Sequence, residues 1–491
     1  MSRTSPRRIL VALGAVVLSY GLMQTMLVPA IGDLQVRLHA SPAAASWAVL
    51  SGLLLCSAVV TPLIGRLADR YGKRRVLLVS LATYLAGALG AIGAPNIGVL
   101  IACRVVQGTS LALLPLSFAI VREALPPRLV ARGLAVTAGL VTGTAGVGLL
   151  VGGLLVDHTS WRWLFVVGSA IIATALALTA AYVPESAHRS PGRLDVPGTV
   201  LLGAGLAALL LGITQGPAWG WTAPPTIALF AGSALTLTGF VLVERRVADP
   251  LVDLALLRRR RLAVAHLGAL ALGINQFVLY VLLPRLAELP AGLPPDAARL
   301  VHHGFGASVT GAALILLPGT LLTMPASWTA SWLDRRLGSA GSAAPLAIGL
   351  GLAALGAGAI AAGHATAGAV LGWYLVVSVG YGLAMAALPR LVNHASPAHQ
   401  SGAANGVNTV ARTLGGAIGA QLAAAALAGN TIDGTAAPAD RGFTLGFVLA
   451  ATIAAAGAVG LPLARRRHRA AGADGPTGSG SAVRRPAGMR D

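Results

Sequence analysis

Charge is what this sequence has least of. Of its 491 residues, 11% are Asp, Glu, Lys or Arg, where a soluble chain needs about a quarter to cover its surface. A water-exposed globular fold is therefore excluded. Cysteine is almost as scarce. Cys56 and Cys103 are the two in the chain, both inside apolar runs, so neither a disulfide framework nor cysteine-based zinc spacing is available. The phosphate-binding pattern GxxxxGK[ST] is missing, which argues against ATP hydrolysis. Neither a catalytic triad nor a metal-ligand cluster is legible, and His302 and His303 have no evident companion ligands. The net charge of +20 does not indicate a nucleic-acid partner, because the basic residues fall in short clusters between apolar runs rather than along one face.

What the chain has in abundance is apolar length: 55% of it is hydrophobic, in runs long enough to cross a bilayer as helices. Fourteen such runs are legible, at about 9–31, 46–65, 76–94, 97–121, 133–156, 162–183, 196–216, 225–243, 262–284, 308–332, 344–362, 368–388, 402–428 and 442–463. The first is too long for the apolar core of a signal peptide and reads as an uncleaved span. With the N-terminus inside, 29 of the 36 basic residues fall on the inner segments. That asymmetry obeys the positive-inside rule and places both termini in the cytoplasm. After about residue 465 the chain opens with "RRRHR" and turns rich in Gly, Ser and Pro, the composition of a disordered tail. Arginine far outnumbers lysine, as in the products of GC-rich bacterial genes; the one lysine is Lys73.

Lys73 sits in the densest charged stretch, "GRLADRYGKRR" at 65–75, between runs two and three. An inner loop explains its five basic residues but not their order. The pattern carried by Gly65, Leu67, Ala68, Asp69, Arg70, Gly72, Lys73 and Arg74 resembles the signature loop of the major facilitator superfamily, at the same place in the chain. Arg104, Gln107 and Gly108 resemble that family's Arg-x-x-Gln-Gly motif. Gly148, Gly152 and Gly153 resemble its antiporter motif, with Leu149 where a proline is usual. "VERRVADPLVDLALLRRRRLAVA" and "SGAANGVNTVARTLGGAIGA" resemble the fourteen-span drug:proton antiporter branch.

The resemblance implies an all-α polytopic membrane protein: two six-helix bundles plus two extra helices. Its parts would be an N-terminal bundle over 1–190, the extra pair over 191–250, a C-terminal bundle over 251–464 and a tail over 465–491. It further implies a plasma-membrane transporter acting as a monomer by alternating access, driven by protons without a cofactor. The loop at Asp69 would clasp the cytoplasmic ends of the bundles. Gly65 and Gly72 are expected to permit close approach and a tight turn. The cargo would be a hydrophobic, often cationic drug. Export of an endogenous metabolite or self-made antibiotic, neutral or anionic, is the alternative. One departure bears on this choice: where the branch carries an aspartate inside the first span, this chain has Tyr20, and Asp33 lies near the outer end.

The polar residues inside the runs mark a candidate pathway, since a mid-bilayer charge costs about 2.5–3.5 kcal/mol on insertion scales. Asn405, Asn408 and Arg412 share a helical face by their i, i+3, i+7 spacing, and that face suits either a pathway lining or an inter-helix hydrogen-bond network. Arg104 and Gln107 share another; Arg104 suits a proton path or outward snorkelling. Tyr20 and Gln24 are placed to offer hydrogen bonds to cargo. Asn275 and Gln276 diverge by about 100° around their helix, so one of them faces neighbouring helices. His266 is read as interfacial, and Asp33 is the candidate proton carrier.

Overall fold

The computed structural model describes residues 5–186, 195–247, 250, 260–290, 299, 301, 303–336, 343–395, 401–433, 435 and 437–473. Fourteen long helices account for most of them. In chain order these are α1 (Pro6–Met26), α2 (Pro42–Tyr71), α3 (Lys73–Ile92), α4 (Ile97–Ala124), α5 (Pro127–His158), α6 (Arg162–Tyr182) and α7 (Val196–Trp219). Then come α8 (Pro224–Glu244), α9 (Arg260–Glu288), α10 (Val309–Arg336), α11 (Ala344–Ala362), α12 (Ala367–Ala395), α13 (Ser401–Ala428) and α14 (Asp440–Ala473). Each corresponds to one apolar run in the sequence. The physical reason is that lipid offers no partner for backbone N–H and C=O groups, so each crossing segment must satisfy its own as a helix.

Local signals set the helix ends. Proline occupies the first turn of α1, α2, α5 and α8, where its missing N–H costs nothing. Asn96 and Asp195 cap α4 and α7, their side chains accepting from Val99 N at 3.0 Å and Gly198 N at 2.8 Å. α14 departs from expectation. It continues to Ala473, through residues 465–473 that composition assigns to a disordered tail, because Ala and Arg are strong helix formers. The rest of that tail lies outside the described residues, as does His302.

α1 to α6 pack mainly on one another, and so do α9 to α14. The two halves meet along two seams, α5 against α10 and α2 against α13. The extra pair, α7 and α8, packs on itself and then on the second seam. Leu202 and Leu206 of α7 and Phe240 of α8 form a small core with Val59 of α2.

Candidate functional site

The loop 65–75 defines one face of the molecule, here the loop face; the opposite end is the far face. Gly72 closes α2 at φ +100°, a conformation that L side chains rarely adopt, and a Cβ there would meet the Glu185 carboxylate at 2.5 Å. Lys73 Nζ donates to Glu123 Oε2 at 2.9 Å and to Ser186 Oγ at 3.2 Å. Arg74 donates from its backbone N to Glu185 Oε1 at 3.2 Å and from its guanidinium to the Ala180 carbonyl at 2.7 Å. These partners lie near the end of α4, near the end of α6 or just beyond it, so these ties run within the loop's own half. Arg66 donates to the Pro250 carbonyl in the segment between α8 and α9. Asp69 lies among Lys73, Arg66 and Glu123, and Arg70 stacks over Tyr71 at 5.3 Å. At Gly65 a Cβ would meet nothing within 4 Å among the described residues.

On the far face both seams are closed. The Asp157 carboxylate at the end of α5 accepts from Val309 N at 3.0 Å and Thr310 N at 2.7 Å. One half thus caps the N-terminus of a helix in the other, where the dipole favours an anion. The glycines of α5 make this possible. A Cβ on Gly153 would lie 2.7 Å from Thr310 Cα of α10, and one on Gly146 would lie 2.9 Å from Thr320 Oγ1. Gly148 and Gly152 face the other way, against Thr25 and the Met26 backbone of α1. Leu149, which replaces the family's proline, is fully buried in an unbroken helix.

The second seam is closed by hydrogen bonds. Gln421 of α13 donates to Ser51 Oγ of α2 at 2.8 Å and accepts from Thr214 Oγ1 of α7 at 2.6 Å; Trp47 Nε1 donates to the same Thr214 oxygen at 2.8 Å. Farther along this face, a short helix, Ile31–Arg37, packs on the end of α9. Glu288 and Arg285 of α9, both buried, lie against Gly32. Asp33, next in sequence, accepts from Arg37 Nε at 2.7 Å. Asp33 Oδ2 and Glu288 Oε1 are buried without a hydrogen-bond partner among the described residues.

Between the seams lies a mid-depth cavity of about 120 Å³, lined by α1, α9, α10, α12 and α13. Tyr20, Gln24, Gln276 and Arg412 are there, together with Tyr280, Tyr374, Tyr381, Phe277 and Met385. This is smaller than the ~300–1,000 Å³ of drug-sized pockets.

The remaining candidates lie elsewhere. Asn275 is fully buried, donating to the Ala450 carbonyl at 2.9 Å and accepting from Tyr381 Oη at 2.6 Å. It faces helices while Gln276 faces the cavity. Asn408 donates to the Ala265 carbonyl at 3.0 Å and sits 3.3 Å from His266 Nδ1; Asn405 donates to Asn393 Oδ1 at 2.6 Å. Of that helical face, Arg412 alone is among the cavity's lining residues. Arg104 is fully buried and donates to the Ala48 and Val49 carbonyls at 3.0 and 2.8 Å and to Gln107 Oε1 at 2.7 Å. Those carbonyls belong to a π-helical turn, Trp47–Ser51, where the wider winding disturbs the usual i→i−4 ladder. Gly108 completes the motif, since a Cβ there would lie 2.5 Å from Cys56 Cβ.

Sequence reasoning missed the three cavity tyrosines of α9 and α12, because an aromatic in an apolar run reads as core. It also missed Asp157, Glu288 and Gln421. A polar residue late in an apolar run was the available signal for Gln421.

Two helical bundles meeting at paired seams around a mid-membrane cavity of aromatic and polar side chains define a multi-pass membrane transporter. The Major Facilitator Superfamily profile matches residues 13–420, and the chain belongs to that family. It is 28% identical to the tetracenomycin C resistance and export protein of Streptomyces glaucescens, covering 88% of this chain and 78% of that one. It is 31% identical to the cephamycin export protein of Amycolatopsis lactamdurans, covering 79% and 78%. A multidrug resistance protein B homolog of Mycobacterium tuberculosis is 30% identical, covering 77% and 68%. Among solved structures, a peptide transporter in complex with sulfate has the same fold, at TM-score 0.67, 15% identity and 94% coverage of both chains.

Proposed function

We propose that this protein exports hydrophobic drugs or antibiotics across the plasma membrane, exchanging them for protons by alternating access. The observation that carries the reading is a cavity lined from both halves beneath a far face closed at both seams. That is the arrangement expected when a substrate site has been shut off from one side. The relatives are export and resistance proteins, which supports the cargo class. Loop face inside and far face outside follows from the basic-residue asymmetry, with both termini cytoplasmic and the monomer as the working unit. In this state Lys73 and Arg74 are tied to their own half while Arg66 reaches Pro250 beyond α8, which fits a clasp that tightens when the far face opens.

Proton coupling needs a carboxyl that gains and loses a proton during the cycle. The pair formed by Asp33 and Glu288 supports that role, each holding a buried oxygen without a described partner. Export of the cell's own product is the second reading, favoured by relatives whose names pair export with a particular antibiotic.

The test is transport in proteoliposomes under an imposed pH gradient, with an internal pH dye. Antibiotic movement with opposite proton flux is expected, with Glu288→Gln abolishing the proton flux. Wild-type transport indifferent to the gradient would remove the coupling.

A further inference from the structure

The cavity is unevenly charged. Arg412 is the one ionic side chain among its lining residues, and none of them is Asp or Glu. The described acids lie toward the two faces, among them Asp33, Glu288, Asp157, Asp433 and Asp440 at the far one and Asp69, Glu123, Glu185, Asp195, Glu244 and Asp334 at the other. A lipophilic cation in this cavity would sit beside a guanidinium at mid-membrane with no counter-charge. An anion would instead neutralise Arg412 through charge-assisted hydrogen bonds, which are about twice as strong as neutral ones.

The rest of the lining specifies more than charge. Four of the chain's seven tyrosines, Tyr20, Tyr280, Tyr374 and Tyr381, line this one space with Phe277. Aromatic walls of this kind favour flat, conjugated ligands. Tyr20 lies beside Arg412. Gln276 Nε2 donates to Tyr280 Oη at 3.3 Å, which leaves the Tyr280 proton for another acceptor. Gln276 Oε1 is buried without a partner among the described residues, and it accepts a hydrogen bond from any hydroxyl brought to it.

We infer that the cargo is a planar aromatic weak acid carried as its anion, a phenolate, enolate or carboxylate held by Arg412 with a ring hydroxyl donating to Gln276. This deepens the export reading and rests on it. Arg412 then determines specificity, rejecting the lipophilic cations that an acid at the place of Tyr20 would accept.

Fluorescein and rhodamine 123 share a xanthene ring system and differ in the sign of their charge. Their binding is compared by fluorescence anisotropy on purified protein in phosphatidylcholine nanodiscs, against empty nanodiscs. The wild type should bind fluorescein at least about tenfold more tightly than rhodamine 123. Arg412→Gln should erase that ratio, Arg412→Lys should keep part of it, and Gln276→Glu should also erase it by placing in the cavity a carboxylate that offsets the Arg412 charge. Equal binding of the two dyes by the wild type, or a preference for rhodamine 123, overturns the inference. So does an unchanged ratio in Arg412→Gln; if that variant folds poorly, Gln276→Glu decides alone. Equilibrium binding needs no pH gradient, so failure of proton-driven transport would remove the export reading and leave this result standing.

Discussion

The two seams stand at equivalent places between the halves and are closed by different chemistry. At α5–α10 the contact is steric. Glycines let backbone meet backbone, and a single exposed carboxylate, Asp157, caps the facing helix. At α2–α13 the contact is a buried polar network centred on Gln421, and it recruits a third helix through Thr214 of α7. A surface of glycines can slide with few bonds to break, whereas a buried network holds one geometry until all its members are re-satisfied. Among the described residues the extra helix pair packs mainly on the second seam, so it stiffens the side that already holds one geometry.

The largest effect expected from breaking this contrast is at Gly153. Leucine there must displace the Thr310 backbone, and overpacking of this kind costs about 1–3 kcal/mol or more. Transport should fall at least about tenfold, and spin labels at Thr159 and Ser308 should report a far face held open. A close-packed label distance in Gly153→Leu would mean that the seam is not steric. Gln421→Leu comes next. It removes the link between buried Ser51 and half-buried Thr214, a cost of about 0.5–1.5 kcal/mol per hydrogen bond lost, and should lower the melting temperature and loosen α7, read as faster hydrogen exchange near Thr214.

Asp157→Asn should do less. An exposed charge at a helix N-terminus contributes about 0.3–1 kcal/mol, so a two- to fivefold rise in the open far-face population is expected from the same label pair, shrinking at high salt. Smallest is Gly65→Ala. With no described atom within 4 Å of its Cβ position and a gain in helix propensity of about 1 kcal/mol, it should leave melting unchanged or raised. Gly72→Ala, at positive φ, should lower it. Equal losses at the two glycines would contradict the distinction drawn between them.

The architecture was legible because hydropathy and basic asymmetry are one-dimensional signals. Every apolar run became a helix, and the adjacent pair Asn275 and Gln276 split between helix packing and cavity as the 100° step requires. Partners were not legible. Spacing put Asn405, Asn408 and Arg412 on one face, but which neighbour covers each turn depends on how α9 and α12 cross α13. Two of the three thus bond to those helices and one reaches the cavity. Arg104 illustrates the same limit: its spacing announced Gln107, but its other two partners are main-chain carbonyls of a π turn, which no side-chain pattern announces. Glu288 and Asp33 are 255 residues apart in sequence and meet only through the fold.

Cross-linking the steric seam tests alternating access at its root. In a background with Cys56 and Cys103 replaced by serine, Asp157→Cys and Thr310→Cys place two thiols across the α5–α10 contact. Oxidation should halt pH-driven transport in proteoliposomes and reduction should restore it. Undiminished transport by the cross-linked protein would contradict a cycle in which the far face must open.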